Sequence, residues 1–260
     1  MKPLALLTIL FAAACATSGT GPSTSIEADG PRLRHLRVRI VPEQTKRFEE
    51  LMKACVECAG NDSAPWLCYR EPPGHYWLIQ VSPQGAPFPY AEGLQGFVTS
   101  VTARSTPARR DALLRQLSEL RYETRWSIVT QQVSSWSTVD RVNPKTHGKA
   151  RIMMREVKPG MLTAFAKALT ERTALFDDIG HPLPIVGYAT LSGAASRQFQ
   201  VVFAEDWGTF HDRQSFGIWA KTLPPSEQDR YAARKAALMR TMNNAAWFDG
   251  TYADELSLRR

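Results

Sequence analysis

Leu36-Arg37-Val38-Arg39-Ile40-Val41-Pro42, followed by Phe48 and Met52, recurs 117 residues later as Met153-Met154-Arg155-Glu156-Val157-Lys158-Pro159, followed by Phe165 and Leu169. In both places an alternating run, the pattern of a strand with two unlike faces, ends at a proline and an amphipathic run follows. Each then offers a tyrosine-bearing apolar stretch, Trp66-Leu67-Cys68-Tyr69 or Pro184-Ile185-Val186-Gly187-Tyr188. A second apolar stretch comes next, Tyr76-Trp77-Leu78-Ile79-Gln80-Val81 or Gln198-Phe199-Gln200-Val201-Val202-Phe203. Recurrence at this spacing reads as two copies of one small domain, not as a solenoid.

Working outward, residues 34–41 read as a strand, and Pro42 suits the first turn of a helix, where a missing N–H is harmless. Phe48, Met52, Cys55 and Ala59 mark one face of that helix, widened by Leu51. Strands near 65–71 and 75–82 flank the turn signal Pro72-Pro73-Gly74. Residues 83–106 read as irregular. Thr106-Pro107 opens a helix carrying Leu113, Leu114, Leu117 and Leu120, and Trp126 to Trp136 closes the unit.

The second copy reads as a strand at 150–157 and a helix after Pro159 with Leu162, Phe165, Leu169 and Phe176. Strands follow near 184–191 and 197–204, then a short helical insertion at about 206–221. Ser226-Glu227-Gln228-Asp229 resembles a capping box for a last helix with Tyr231, Leu238 and Met242 inward. Trp247 to Leu256 is the closing strand. Asn143-Pro144 and Gly148 mark the boundary, giving copies at 33–145 and 146–260. The order, strand-helix-strand-strand-helix-strand, is the ferredoxin-like unit. Helices cover one face of each sheet, and Val38, Ile40 and Val81 are assigned to the other. The expected fold class is therefore α+β: two tandem ferredoxin-like βαββαβ repeats packed sheet to sheet as an intramolecular α/β barrel, sufficient as a monomer.

Residues 1–14 read as a signal peptide, with Lys2 ahead of a short apolar run and small residues before Cys15. That placement resembles a lipobox, so Cys15 is the expected lipidation site and the expected partner is a membrane, reached through the lipid. Residues 15–32, small and polar, read as a tether. The expected location is the bacterial cell envelope, anchored or secreted. Lys and Arg number 32 against 25 Asp and Glu, a net charge of +7. Behind a secretory signal this excess suits a solubilising or lipid-facing surface, and nucleic acid is excluded as a partner.

The doubled element order, the strand-to-proline helix entries at Val41-Pro42 and Lys158-Pro159, and the segment Ala204-Glu205-Asp206-Trp207-Gly208-Thr209-Phe210 resemble the dimeric α/β-barrel superfamily. That superfamily includes antibiotic-biosynthesis-type monooxygenases, stress-responsive barrel proteins and haem-containing chlorite dismutases. The similarity covers residues 34–257. It implies a barrel fold, and it admits many functions.

Candidate chemistry is sparse. Cys55-Val56-Glu57-Cys58 lies at a helix end, where the dipole opposes a thiolate, so redox use is disfavoured. A structural bridge from Cys58 or Cys55 to Cys68 is expected in an oxidising compartment. The five histidines have no metal-ligand spacing, and neither metal nor cofactor is expected. A haem of the chlorite dismutase kind would need an axial histidine on a helix of the second copy, and only His211 could serve, on the insertion rather than on a repeated helix. Trp207, Phe210 and Trp219 are candidate ligand-binding residues, with Tyr69 and Tyr188 at matching places in the two copies. His211, Asp206 and His75 are the candidate acid–base groups. The first functional expectation is a small-ligand-binding or structural module holding an apolar or aromatic molecule. The alternative is a cofactor-independent, monooxygenase-like enzyme.

Overall fold

The computed structural model describes residues 26, 28–59, 65–81, 93–140, 142–193 and 196–258. The elements run β1 (Arg32–Ile40), α1 (Thr45–Cys58), β2 (Trp66–Glu71), β3 (His75–Val81), α2 (Gly93–Val101), α3 (Pro107–Ser118) and β4 (Tyr122–Val133). They continue with β5 (Lys149–Val157), α4 (Leu162–Asp178), β6 (Ile185–Ser192), β7 (Arg197–Ala204), α5 (Pro225–Arg240) and β8 (Met242–Tyr252). Short helical turns occupy the segment from Trp207 to Thr222. Cys15 lies outside the described residues.

Local chemistry explains most of the boundaries. Pro42 opens a single 3-10 turn before α1. Thr106 caps α3, its hydroxyl accepting from the Arg109 N–H. The capping box expected at Ser226 does not form, because α5 begins one residue earlier at Pro225 and no side chain caps it. Proline suits that first position, and the Gln228 side chain donates instead to the Leu223 carbonyl at 2.8 Å. Helix α2 replaces part of the stretch read as irregular. Its Leu94, Phe97, Val98 and Val101 are buried at helical spacing within a Gly/Ser/Thr-containing run that reads as loop by composition.

The eight strands close into one antiparallel barrel in the order β1-β3-β2-β8-β5-β7-β6-β4. Strands from the N-terminal half are contiguous, as are those from the C-terminal half. Two seams join them. At one, β4 pairs with β6 from Val129 to Val133. At the other, β2 meets β8 at Tyr69–Tyr252 and Arg70–Thr251, and the chain beyond β8 lies along β2 with Trp66 donating its indole N–H to the Leu256 carbonyl. Each seam has a glycine under an aromatic residue of the opposite half. A Cβ at Gly187 would lie 2.3 Å from that of Trp136, and one at Gly250 would lie 2.9 Å from that of Tyr69. Neither position has room for a side chain.

The helices coat the outside. Leu36, Val38 and Ile40 of β1 pack outward with Phe48, Met52, Leu78 and Phe97, not into the barrel as expected for Val38 and Ile40. The barrel interior takes the opposite face: Leu33, Tyr69, Trp77, Ile79, Ile152, Tyr188 and Phe199, with Val81 at its edge. The physical reason is the division of labour along β1. The face carrying Leu36, Val38 and Ile40 goes to the amphipathic helices, with Arg34 buried at its start. The other face of β1 enters a lumen that supplies partners, such as Thr130 for His35 at 2.9 Å and Glu71 for Arg37 at 2.7 and 2.8 Å. Phe248 also lies 4.0 Å beneath the Arg37 guanidinium.

Cys55, Cys58 and Cys68 are free thiols in the structure, so the expected bridge from Cys58 or Cys55 to Cys68 is not formed there. Cys55 and Cys68 are packed within the apolar layer beneath α1. Burial pushes the Cys55 thiol up to about 12 and Cys68 upward as well. They act there as small hydrophobic side chains.

Candidate functional site

The insertion after β7 does not build the expected aromatic wall. Asp206 caps its first turn, accepting from the Thr209 N–H at 2.7 Å, and this hydrogen bond holds the exposed carboxyl below its usual range. His211 is exposed and tilts against Trp207 with ring centres 5.8 Å apart. Phe210 is buried against Trp207, with the Arg151 guanidinium 4.5 Å from its ring centre. Trp219 packs on Phe176, His181 and Tyr231, within the same apolar cluster as Phe210. The insertion is thus mainly a plug over the sheet, with Asp206 in a capping role. His75 stands half-buried on β3, its imidazole pushed to a lower pKa by desolvation and by Arg37.

Tyr69 and Tyr188 do meet one environment, the barrel interior. Tyr188 approaches edge-on to His35 at 5.3 Å, and Tyr69 packs on Trp77 at 5.4 Å. His35 itself stacks between Trp77 and Phe199 at 5.4 and 6.1 Å. Desolvation lowers its pKa to about 3, so it is neutral near pH 7. Read as a lone histidine in the sequence, it turns out to be the polar centre of the lumen. The one signal was its place in the alternation of β1.

A pocket of about 520 Å³ opens on the outer face of the C-terminal half, between β5, β8, α4 and α5. Met153, Leu238, Met242, Tyr231 and Phe216 supply apolar wall, and Trp247, 62% exposed, stands at its mouth. From the insertion, Phe216 and Gly217 line it, and Trp207, Phe210 and Trp219 do not. Its charged groups are Arg151, Arg155, Arg172 and Lys235. Arg151 is neutralised by Asp249 at 2.5 and 2.7 Å. Arg155 and Arg172 are buried, 4% and 5% exposed, and their Nη1 and Nε respectively have no hydrogen-bond partner among the described residues. Desolvation, with the neighbouring Arg172 charge, lowers Arg155 to about 9, and desolvation lowers Arg172 too.

No histidine, cysteine or carboxylate lines this pocket. A haem held by a proximal histidine or thiolate therefore does not fit it. Among the described residues, no group of three or more His, Cys, Asp and Glu side chains is placed to hold a metal ion.

The same overall fold is found in solved structures. A candidate monooxygenase from Lactobacillus acidophilus NCFM superposes with a TM-score of 0.53 at 9% identity, covering 88% of this chain and 99% of the other. A candidate monooxygenase from Fusobacterium nucleatum subsp. nucleatum superposes with a TM-score of 0.53 at 8% identity, covering 86% and 92%. At such identities the likeness establishes the fold alone. No protein-family model matches the sequence, and no curated protein matches it significantly.

Proposed function

We propose that this chain is a small-ligand-binding α/β barrel of the cell envelope, made of two βαββαβ copies and tethered through a lipid on Cys15. The ligand occupies the pocket between the sheet and helices of the C-terminal half. The observation that carries this reading is the pocket itself, about 520 Å³ and walled by Met, Leu, Tyr, Phe and Trp side chains. That size and lining suit a small, mostly apolar molecule with a few polar contacts.

Binding is favoured over oxygenation by the same lining. A cofactor-independent oxygenase needs a base to raise the anion of its substrate. The pocket offers guanidinium and ammonium groups, with no histidine or carboxylate.

Titration with a panel of small apolar and aromatic compounds should quench tryptophan fluorescence saturably, and Trp247→Phe should remove most of that signal. Failure of every compound to saturate, or an unchanged signal in Trp247→Phe, overturns the site. Incorporation of labelled fatty acid, abolished by Cys15→Ser, tests the tether.

A further inference from the structure

Two arginines face one pocket without an acid to neutralise either. The nearby carboxylates are engaged elsewhere: Asp249 by Arg151, Glu171 by Arg234, and Asp178 and Glu227 by Arg230. Arg155 Nη2 reaches only the Met153 sulfur, at 3.7 Å, a weak acceptor. Arg172 is held at the edge of the pocket by the rings of Phe176 and Phe216, 4.6 and 4.7 Å from its guanidinium carbon. Those contacts fix its plane, the Tyr231 hydroxyl engages the guanidinium as well, and Nε is left without an acceptor among the described residues.

Burying an unpaired charge is costly, so such a pair persists only where something rewards it. Packing does not. At the 117-residue offset, Val38 and Cys55 stand where Arg155 and Arg172 stand, and both are fully buried in an apolar layer. At these two positions the layer therefore accepts small apolar groups. Two buried guanidiniums lining one apolar chamber match a planar anion carried on a hydrocarbon body.

We infer that the ligand is an organic acid whose carboxylate lies between Arg155 and Arg172, with its apolar body running among Leu238, Met242 and Trp247. This rests on the ligand-site reading above and adds the chemical class. A carboxylate would accept from both arginines and satisfy Arg155 Nη1 and Arg172 Nε together.

The test uses the purified full chain and three probes followed by calorimetry: octanoate, its uncharged counterpart octan-1-ol, and inorganic phosphate. Octanoate should bind about 10- to 100-fold more tightly than octanol, the scale of charge-assisted hydrogen bonds. Arg155→Met should erase that preference while octanol binds as before, and Arg155→Lys should restore part of it. If Arg172→Met proves insoluble, the two Arg155 variants decide. Equal affinity for octanoate and octanol would leave the apolar site standing and overturn the acid. Phosphate binding without octanoate binding would mark an inorganic-anion site and also overturn it. Binding of none of the three would remove both the site and its proposed ligand.

Discussion

At matched positions the two halves of the barrel place polar groups on opposite sides of the same sheet. In the N-terminal half the layer under the helices is apolar at Val38 and Cys55, and the lumen holds His35. In the C-terminal half the offset positions are reversed: Arg155 and Arg172 lie under the helices, and Ile152 faces the lumen. The strand pairing agrees, since Val38 pairs with Tyr76 across β1 and β3, and Arg155 pairs with Gln198 across β5 and β7. One backbone frame thus accepts either arrangement. Buried charge occurs under the helices of both halves, since Arg34 shares the outward face of β1, but only the C-terminal half sets two arginines beside an open pocket.

Forcing the arginine arrangement on the apolar half should break it. Val38→Arg buries an uncompensated charge in a fully closed apolar layer, and should cost about 3–5 kcal/mol. Urea denaturation, or loss of soluble protein, reads this directly. A well-folded Val38→Arg protein of unchanged stability would mean that the two layers are not distinct.

The lumen sharpens the contrast through pH. His35 has a folded pKa of about 3, below its ordinary value of 6.5, because burial disfavours the cation. Between those values the unfolded chain binds the proton and the folded one does not. Stability is therefore complete above pH 6.5 and falls as pH drops, by about 1.4 kcal/mol per pH unit, until about pH 3. His181, lowered to about 4 by desolvation, adds a loss of the same sign down to that value. His35→Gln should halve the slope between pH 6.5 and 4 in denaturation series. A mutant profile parallel to wild type would show that His35 is not held neutral.

Relieving the charged half should have the opposite sign. Arg155→Met removes an underpartnered buried charge in favour of a side chain like its Met153 and Met242 neighbours. It should raise unliganded stability by about 1–2 kcal/mol, while removing a group that the proposed site needs. Measured stabilisation below zero would mean that Arg155 supports the layer structurally, as Val38 does.

Much of the fold was legible because strand alternation and helix spacing are local signals. The element order and the turns at Pro72-Pro73-Gly74 and Pro107 follow from them. Helix α2 was hidden by its glycines and hydroxyl residues, although Leu94, Phe97, Val98 and Val101 carry helical spacing. The inward face of β1 was misassigned because both faces of a barrel strand are covered, and apolarity alone does not say by what. The insertion aromatics drew attention by clustering, yet they pack as a plug. Arg155 and Arg172 carry no signal of burial in their own local sequence. Their signal was comparative: the 117-residue offset sets them against Val38 and Cys55.

The smallest expected contrast concerns how each half starts its last helix. Thr106 accepts from the Arg109 N–H at 3.4 Å, a long bond at an exposed helix end. In the other half Pro224 and Pro225 begin α5 by backbone preference, with no side-chain cap from Ser226. Thr106→Ala should therefore cost about 0.5–1 kcal/mol, at the low end for caps because the bond is long. Ser226→Ala should stay within about 0.5 kcal/mol of wild type, as for a surface site without such a role. Paired urea melts of the two variants measure the difference. An equal or larger loss at Ser226 would mean that a capping box forms in solution after all, and that the two helices begin by the same device.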